Sequence, residues 1–188
     1  SGAQLYAIEA SASTMNAAGA SFKKESLTAK YRRYFLYGIP LAAVLFQVYV
    51  PRFFDFLSYL ELTVMVTVYY SLVRRSPVAG VLYGMGVGLA QDSLSHHPLG
   101  MFGIVKTLVG YMTAFLTLRF DIDSSSVRFT LMLVLYLFHQ VLYWILTRAL
   151  LGENTQLAVG RLIIVALLNA AVAVPLFQLL DRLKLNQD

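Results

Sequence analysis

Residues 34–50 read YFLYGIPLAAVLFQVYV, a stretch of 17 residues without a charged side chain. A helix needs about 20 apolar residues to cross the hydrocarbon core of a bilayer, and about 17 are enough for a short crossing. Five further apolar stretches follow at 57–73, 78–91, 99–118, 129–147 and 162–180. This pattern predicts an all-α membrane protein built as a bundle of six transmembrane helices.

The composition supports the same class of protein. Hydrophobic residues make up 58% of the 188 residues and charged residues 13%, about half the charged share of a soluble domain. Such a chain cannot cover a water-soluble fold with polar side chains. The absence of cysteine excludes a disulfide-rich secreted scaffold, and the apolar content excludes disorder over most of the length.

Three regions are expected along the chain. Residues 1–33 are predicted to form a mobile basic amino-terminal tail, in which Ser1-Gly2 resembles the scar of a cleaved tag. Residues 34–181 form the six-helix transmembrane domain, and 182–188 form a short cytoplasmic end. The third apolar stretch, 78–91, reaches a spanning length only if Asp92 and its neighbours lie deep in the membrane.

The distribution of basic residues predicts the orientation. Six crossings place both termini on one side, and Lys and Arg are enriched in cytoplasmic loops. With cytoplasmic termini, eleven basic residues lie in cytoplasmic segments and three at the outer side. The eleven are Lys23, Lys24, Lys30, Arg32, Arg33, Arg74, Arg75, Arg119, Arg128, Arg182 and Lys184, and the three are Arg52, Arg148 and Arg161. The net charge of +5 is therefore attributed to membrane topology, and no nucleic-acid partner is expected.

Small residues form stripes on two of the predicted helices. Gly80, Gly84 and Gly88 are each four residues apart, so they form a glycine ladder on one helix face, which Asp92 extends. Gly103 and Gly110 belong to a similar stripe on the fourth helix. Because small residues allow transmembrane helices to approach closely, the stripes are expected to pack inside the bundle. The alternative is an open glycine face that binds a helix of a partner.

Four ionisable residues lie within the predicted spans: Glu61, Asp92, Lys106 and His139. An ionisable residue inside a membrane indicates a functional site by default. Lys106 could pair with Glu61 or with Asp92, and either ion pair would lower the cost of burial. A proton or ion path would need more carboxylates than these spans contain, so structural roles are favoured, with Glu61 reaching the outer interface.

The remaining motifs do not predict catalysis. His96-His97 are adjacent, point apart and lack a third ligand nearby, so a solvated loop is favoured over a metal site. Asp121-Ile122-Asp123 resembles the Asp-x-Asp of metal-dependent sugar transfer, but the serines that follow favour a helix cap. Zinc-helix, nucleophile-elbow and phosphate-loop motifs do not occur. We therefore expect no catalytic residue, metal or cofactor.

One stretch resembles a known family. Residues 84–100 read GMGVGLAQDSLSHHPLG, and Gly103 and Gly110 follow. This resembles the signature of the MreD family of rod-shape-determining membrane proteins, in which a glycine-rich helix leads into Gly-Leu-hydrophobic-x-Asp and a short loop ends in Leu-Gly. The matching positions are Gly88, Leu89, Asp92, Pro98, Leu99 and Gly100. The loop pair at 96–97 departs from the family, which often has a small residue there.

The resemblance, which extends over 34–180, implies a fold and a set of partners. The fold would be a six-helix bundle similar to the substrate-binding subunits of energy-coupling-factor transporters. The protein would be a non-enzymatic component of the elongation machinery in the bacterial inner membrane. It would bind the bitopic protein MreC directly and share a complex with RodA, a class B penicillin-binding protein and the MreB filament.

Two other functions stay open at this point. A vitamin-type transporter subunit would need a polar outward-facing pocket and an Ala-xxx-Ala face on the first helix. That face is absent, because Phe46 follows Ala42 and Gln47 follows Ala43 at this spacing. A membrane enzyme acting on lipid-linked substrates would use Asp92, the histidine pair and Lys106. No nucleophile–base spacing supports this third function.

Overall fold

The computed structural model describes residues 34–95, 98, 100–119, 124–152 and 158–185. This part of the chain contains six α-helices and confirms the all-α prediction. They are α1 Ile39–Tyr49, α2 Leu62–Arg74, α3 Pro77–Leu94, α4 Met101–Thr117, α5 Ser125–Leu151 and α6 Val159–Leu185. A π-helical turn, Tyr34–Gly38, precedes α1, and two 3-10 turns, Val50–Arg52 and Asp55–Tyr59, lead into α2. The predicted tail, 1–33, lies outside the described residues.

Four stretches in the described part are long and apolar enough to cross a membrane: Phe35–Arg52, Asp55–Arg74, Ser125–Leu151 and Val159–Leu183. α4 is apolar but has only 17 residues, and α3 has 18 residues with a polar end. The prediction of a helical membrane-type protein is therefore confirmed. That α3 and α4 also cross the membrane stays a prediction.

The last two helices are longer than the apolar stretches that predicted them. α5 and α6 each contain 27 residues, whereas the sequence predicted 129–147 and 162–180. The helices extend beyond the predicted spans because a charged side chain marks where the apolar surface ends, whereas backbone hydrogen bonding continues past it. Arg128 lies inside α5 and Asp181 inside α6, where the two side chains form an ion pair of 2.5 Å.

The start of α1 and the end of α6 lie at the same end of the bundle. The Tyr70 hydroxyl of α2 donates a hydrogen bond to the carbonyl oxygen of Phe35, which precedes α1. The neighbouring Tyr69 donates to the carboxylate of Asp181 near the end of α6, at 3.0 Å. Arg128, near the start of α5, pairs with the same carboxylate. We call this the basic end, because it also carries Arg74, Arg75, Arg119 and Arg182.

At the opposite end, which we call the polar end, two amide side chains hold the start of α2. Asn169 of α6 accepts a hydrogen bond from the backbone N–H of Glu61, at 2.8 Å, and donates to the carbonyl of Tyr59, at 2.7 Å. Gln47 of α1 accepts from the N–H of Leu62, at 3.0 Å. The first N–H groups of a helix lack partners within it. Here α1 and α6 supply them, and α2 is thereby fixed between them.

α2 is the centre of the bundle. Its residues from Thr63 to Leu72 are all buried, and the helix contacts each of the other five. A helix that is buried on every side belongs to the interior of a larger assembly of helices. The polar residues that belong to other helices can therefore meet around α2.

Candidate functional site

The glycine ladder of α3 packs directly against α4. A Cβ atom added at Gly84 would lie 2.6 Å from the carbonyl carbon of Lys106, closer than real Cβ atoms approach other atoms. The equivalent distances are 2.8 Å from Gly80 to Gly110 and 2.6 Å from Gly88 to Phe102. α3 and α4 form the most extensive helix pair in the described part of the chain. The ladder therefore serves backbone-to-backbone packing inside the protein, and it is not open to a partner helix.

Asp92 joins the two helices of this hairpin. Its carboxylate accepts hydrogen bonds from the backbone N–H groups of Gly100 (3.0 Å), Phe102 (3.1 Å) and Gly103 (2.9 Å). These groups lie at the start of α4, where unpaired N–H groups and the helix dipole favour a negative charge. Gly100 has φ +96°, a left-handed conformation that glycine adopts without strain. The side chain of Asp92 thus caps α4 from the end of α3.

Lys106 is fully buried beside this hairpin. Its ammonium group donates a hydrogen bond to the amide oxygen of Gln91 and lies 4.6 Å from the ring centroid of Phe102. The same amide oxygen accepts a hydrogen bond from the Thr63 hydroxyl at 3.0 Å. A buried cation needs hydrogen bonds or a nearby opposite charge to offset the cost of desolvation. The amide oxygen and the face of the ring serve this purpose.

Neither predicted ion pair of Lys106 is present. Within the described residues, the ion pair closer than 4.0 Å joins Arg128 and Asp181. The oxygens of Asp92 are occupied by the N–H groups of α4, so they are not directed at the lysine. Lys106 still interacts electrostatically with both Glu61 and Asp92 at longer range. The sequence analysis did not single out Gln91, although an amide inside an apolar span is a common interhelical hydrogen-bonding group.

Two ionisable side chains contain buried polar atoms without a hydrogen-bond partner in the described part of the chain. They are the Oε2 atom of Glu61 and both ring nitrogens of His139, whose side chain is 1% exposed. Leaving such a group unpaired costs about 1–3 kcal/mol, so each one needs an explanation. Their unpaired atoms make Glu61 and His139 candidate positions for binding a polar group.

Two cavities of about 320 Å³ each lie at the polar end, on either side of Glu61. Ser58 and Glu61 line both cavities. The other polar residues of the first are Gln47, Arg52, Gln91 and Ser95, and those of the second are Tyr59, Tyr136, Gln140 and Arg161. Each cavity thus combines a guanidinium group with amide or hydroxyl groups, a set that can hold a small polar molecule.

A comparison with family models identifies the chain. The family described as rod shape-determining protein MreD matches residues 30–183. The chain belongs to the MreD family. A search of curated proteins and a search of solved structures each found no match. The resemblance noted in the sequence is thereby confirmed. The likeness to energy-coupling-factor subunits stays a prediction.

The α3–α4 hairpin contains the stretch that resembles the MreD signature. Gly88 and Gly103 allow the helix backbones to meet, Gly100 turns the chain, and Asp92 caps α4. Pro98 is exposed and accepts a hydrogen bond from the N–H of Met101 at 3.4 Å. His96, His97 and Leu99 lie outside the described residues, as does the predicted cap segment 121–123.

Proposed function

We propose that this MreD-family protein is a non-enzymatic scaffold of the elongation complex in the bacterial inner membrane. It binds MreC directly and shares a complex with RodA, a class B penicillin-binding protein and the MreB filament. In that complex it helps control peptidoglycan synthesis and cell shape. The observation that carries this proposal is the family match over residues 30–183.

The roles of the polar residues support a scaffold over an enzyme. Both oxygens of Asp92 accept backbone hydrogen bonds, and Lys106 and the Thr63 hydroxyl both donate to the amide oxygen of Gln91. General acid–base catalysis requires a group that can reach a substrate proton within about 3 Å. The candidate catalytic pair of the enzyme hypothesis is therefore engaged in holding helices together.

The faces available to MreC are the outer faces of the bundle. The ladder of α3 is covered by α4, whereas α6 presents large exposed apolar side chains, among them Ile163, Ile164 and Leu167. On α5, Val134 and Ile145 are also exposed. We infer that MreC contacts the protein through such outer faces of α5 and α6 and through the loops of the polar end.

Co-purification of tagged protein with MreC in a mild detergent tests the proposal, with an unrelated bitopic membrane protein as the control. MreC should be retained and the control lost. A photo-activated cross-linker at Ile164 should capture MreC, and one at Ile104, which is exposed on α4, should not. Loss of MreC under conditions that keep the protein folded would contradict the scaffold function.

The orientation is proposed from the basic end, which would face the cytoplasm because Lys and Arg are enriched there. The chain contains no cysteine, so single cysteines can report on either side. Phe53→Cys, at an 81% exposed position near the polar end, should react with an impermeant thiol reagent in intact cells. Arg75→Cys, at the basic end, should react only after permeabilisation. The reverse pattern would contradict the orientation.

A second candidate function is binding of a small vitamin-like molecule by a transporter-type subunit. The observation that favours it is the pair of polar cavities around Glu61, whose Oε2 atom is buried without a partner. Isothermal titration of the purified protein with a panel of vitamins tests it. Tight binding that Glu61→Gln abolishes would support this function, and retention of MreC would be unaffected.

A further inference from the structure

An apolar groove of about 490 Å³ lies between α1 and α3, apart from the two polar cavities. Its lining extends from Leu36 to Val44 along the α1 segment and from Ala79 to Ala90 along α3. The rims carry Leu41 and Leu82, which are 54% and 56% exposed, so the groove opens on the outer surface of the bundle. In a membrane this surface is covered by lipid or by another protein.

The length of the groove matches one leaflet. Eleven helical residues separate Ala79 from Ala90, which corresponds to about 16 Å along the axis of α3. The hydrocarbon core of a bilayer is about 30 Å thick, so one leaflet contributes about 15 Å. A transmembrane helix of a partner would need a groove across the full thickness. One acyl chain fits the observed length.

Small residues form part of the floor of the groove. A Cβ atom added at Gly86 would have no described atom within 4 Å, unlike one added at Gly84 or Gly88, which would meet the backbone of α4. The space next to the ladder glycines is therefore occupied by the backbone of α4, whereas the space next to Gly86, on the other face of α3, is open. Because this floor is apolar and faces the outer surface of the bundle, an apolar group from outside the protein is the expected occupant.

The walls of the groove are held in place by α2. The Tyr70 hydroxyl donates a hydrogen bond to the carbonyl of Phe35 at the start of the α1 segment. The Tyr70 ring stacks on Tyr83 of α3, with the centroids 4.9 Å apart. One residue of α2 thus contacts both sides of the groove and fixes their spacing. The groove is preformed and does not depend on a ligand to open it.

A single charged residue lines the groove, and it stands at the basic end. Arg74 is exposed and has no ion-pair partner among the described residues. A guanidinium group binds phosphate through paired hydrogen bonds, and basic pockets between transmembrane helices bind anionic headgroups. An apolar groove of leaflet length that ends at an unpaired arginine has the shape and charge of a phospholipid site.

We propose that this groove binds one acyl chain of an anionic phospholipid and that Arg74 binds the lipid phosphate. The leaflet would be the cytoplasmic one, which rests on the orientation proposed above. The site itself does not depend on that orientation or on MreC binding. Bound lipid would cover exposed side chains of α1 such as Leu41 and stabilise the contact of α1 with α3.

Native mass spectrometry of the purified protein, incubated with phosphatidylglycerol or phosphatidylcholine, tests this proposal. The wild-type protein should retain phosphatidylglycerol in preference. Arg74→Gln should weaken phosphatidylglycerol binding about fivefold, the effect of one basic residue near an anionic surface. Arg119→Gln removes the same charge at the same end outside the groove and should change binding by less than about twofold. Gly86→Leu fills the groove and should reduce the retention of both lipids.

Three results would overturn the proposal. Equal losses in Arg74→Gln and Arg119→Gln would mean that surface charge alone attracts the lipid. Unchanged lipid retention in Gly86→Leu, with an unchanged melting temperature, would mean that the groove is not the site. Loss of MreC in Gly86→Leu without any loss of lipid would assign the groove to a protein helix. Retention of MreC in all variants separates this test from that of the scaffold function.

Discussion

Replacing Asp92 tests whether a single carboxylate holds the α3–α4 hairpin together. In Asp92→Ala the N–H groups of Gly100, Phe102 and Gly103 lose their acceptor. In Asp92→Asn one side-chain oxygen remains as an acceptor. The new amide N–H₂ group is a donor and faces at least one backbone N–H, which therefore loses its acceptor. Ser93→Ala is the matched control, because the exposed Ser93 hydroxyl bonds only to the carbonyl of Leu89 in its own helix.

The size of the effect follows from the number of hydrogen bonds. A hydrogen bond to a charged group contributes about 1.5–3 kcal/mol, and an unpaired buried donor costs about 1–3 kcal/mol. Because the three bonds share one carboxylate, their contributions are not additive, and we expect Asp92→Ala to destabilise the protein by about 3–5 kcal/mol. Asp92→Asn should cost about 1.5–3 kcal/mol, and Ser93→Ala less than about 0.5 kcal/mol.

Unfolding of the three purified variants in mixed detergent micelles, followed by circular dichroism during a denaturant titration, measures these differences. The order of destabilisation should be Asp92→Ala, then Asp92→Asn, then Ser93→Ala. An Asp92→Ala protein as stable as the wild type would refute the interpretation of Asp92 as a cap. An Asp92→Asn protein that kept full stability and MreC binding but lost its role in cell-shape control would favour a chemical role for Asp92.

Three further predictions use the same unfolding measurement. Gly84→Ala should destabilise the protein by about 1–3 kcal/mol, because the new Cβ atom meets the backbone of α4. Gly86→Ala should be neutral or stabilising by up to about 1 kcal/mol, because alanine has the higher helix propensity. Equal effects of the two substitutions would contradict the packing of the ladder. Asn169→Ala should cost about 2–3 kcal/mol, since the amide links α6 to the start of α2 through two short hydrogen bonds, and a loss below about 0.5 kcal/mol would mean that water replaces it. Lys106→Met should be neutral or stabilising, because methionine has a shape similar to that of lysine and removes the buried charge. Gln91→Leu should cost about 2–4 kcal/mol, because it leaves the Lys106 ammonium group without its hydrogen-bond acceptor. The reverse order of these two effects would show that the lysine is needed for stability.

Much of the hairpin could be predicted from the spacing of its residues. Glycines four apart lie on one helix face whatever the rest of the fold, so the ladder at Gly80, Gly84 and Gly88 was visible in the sequence. What the ladder faces was not visible, because a small face packs equally well against a helix of the same chain or of another. Only the structure brings α4 against it.

The partners of the ionisable residues could not be predicted in the same way. The sequence leaves Glu61 and Asp92 open as ion-pair partners of Lys106, but Asp92 has its oxygens turned to the start of α4, and Gln91 lies next to the lysine. Such choices depend on atomic distances between separate helices. Opposite charge alone does not decide them, because a backbone N–H at a helix start competes for the same carboxylate.

The helical, membrane-spanning character of the chain could be read from its residues, because hydrophobicity acts within one segment and needs no knowledge of its neighbours. Membership of the MreD family follows from the match over residues 30–183. The central position of α2, the capping of α4 by Asp92, and the different surroundings of Gly84 and Gly86 became visible only in the folded protein. These features depend on how helices rotate and cross, which is set by many contacts between distant parts of the chain at once.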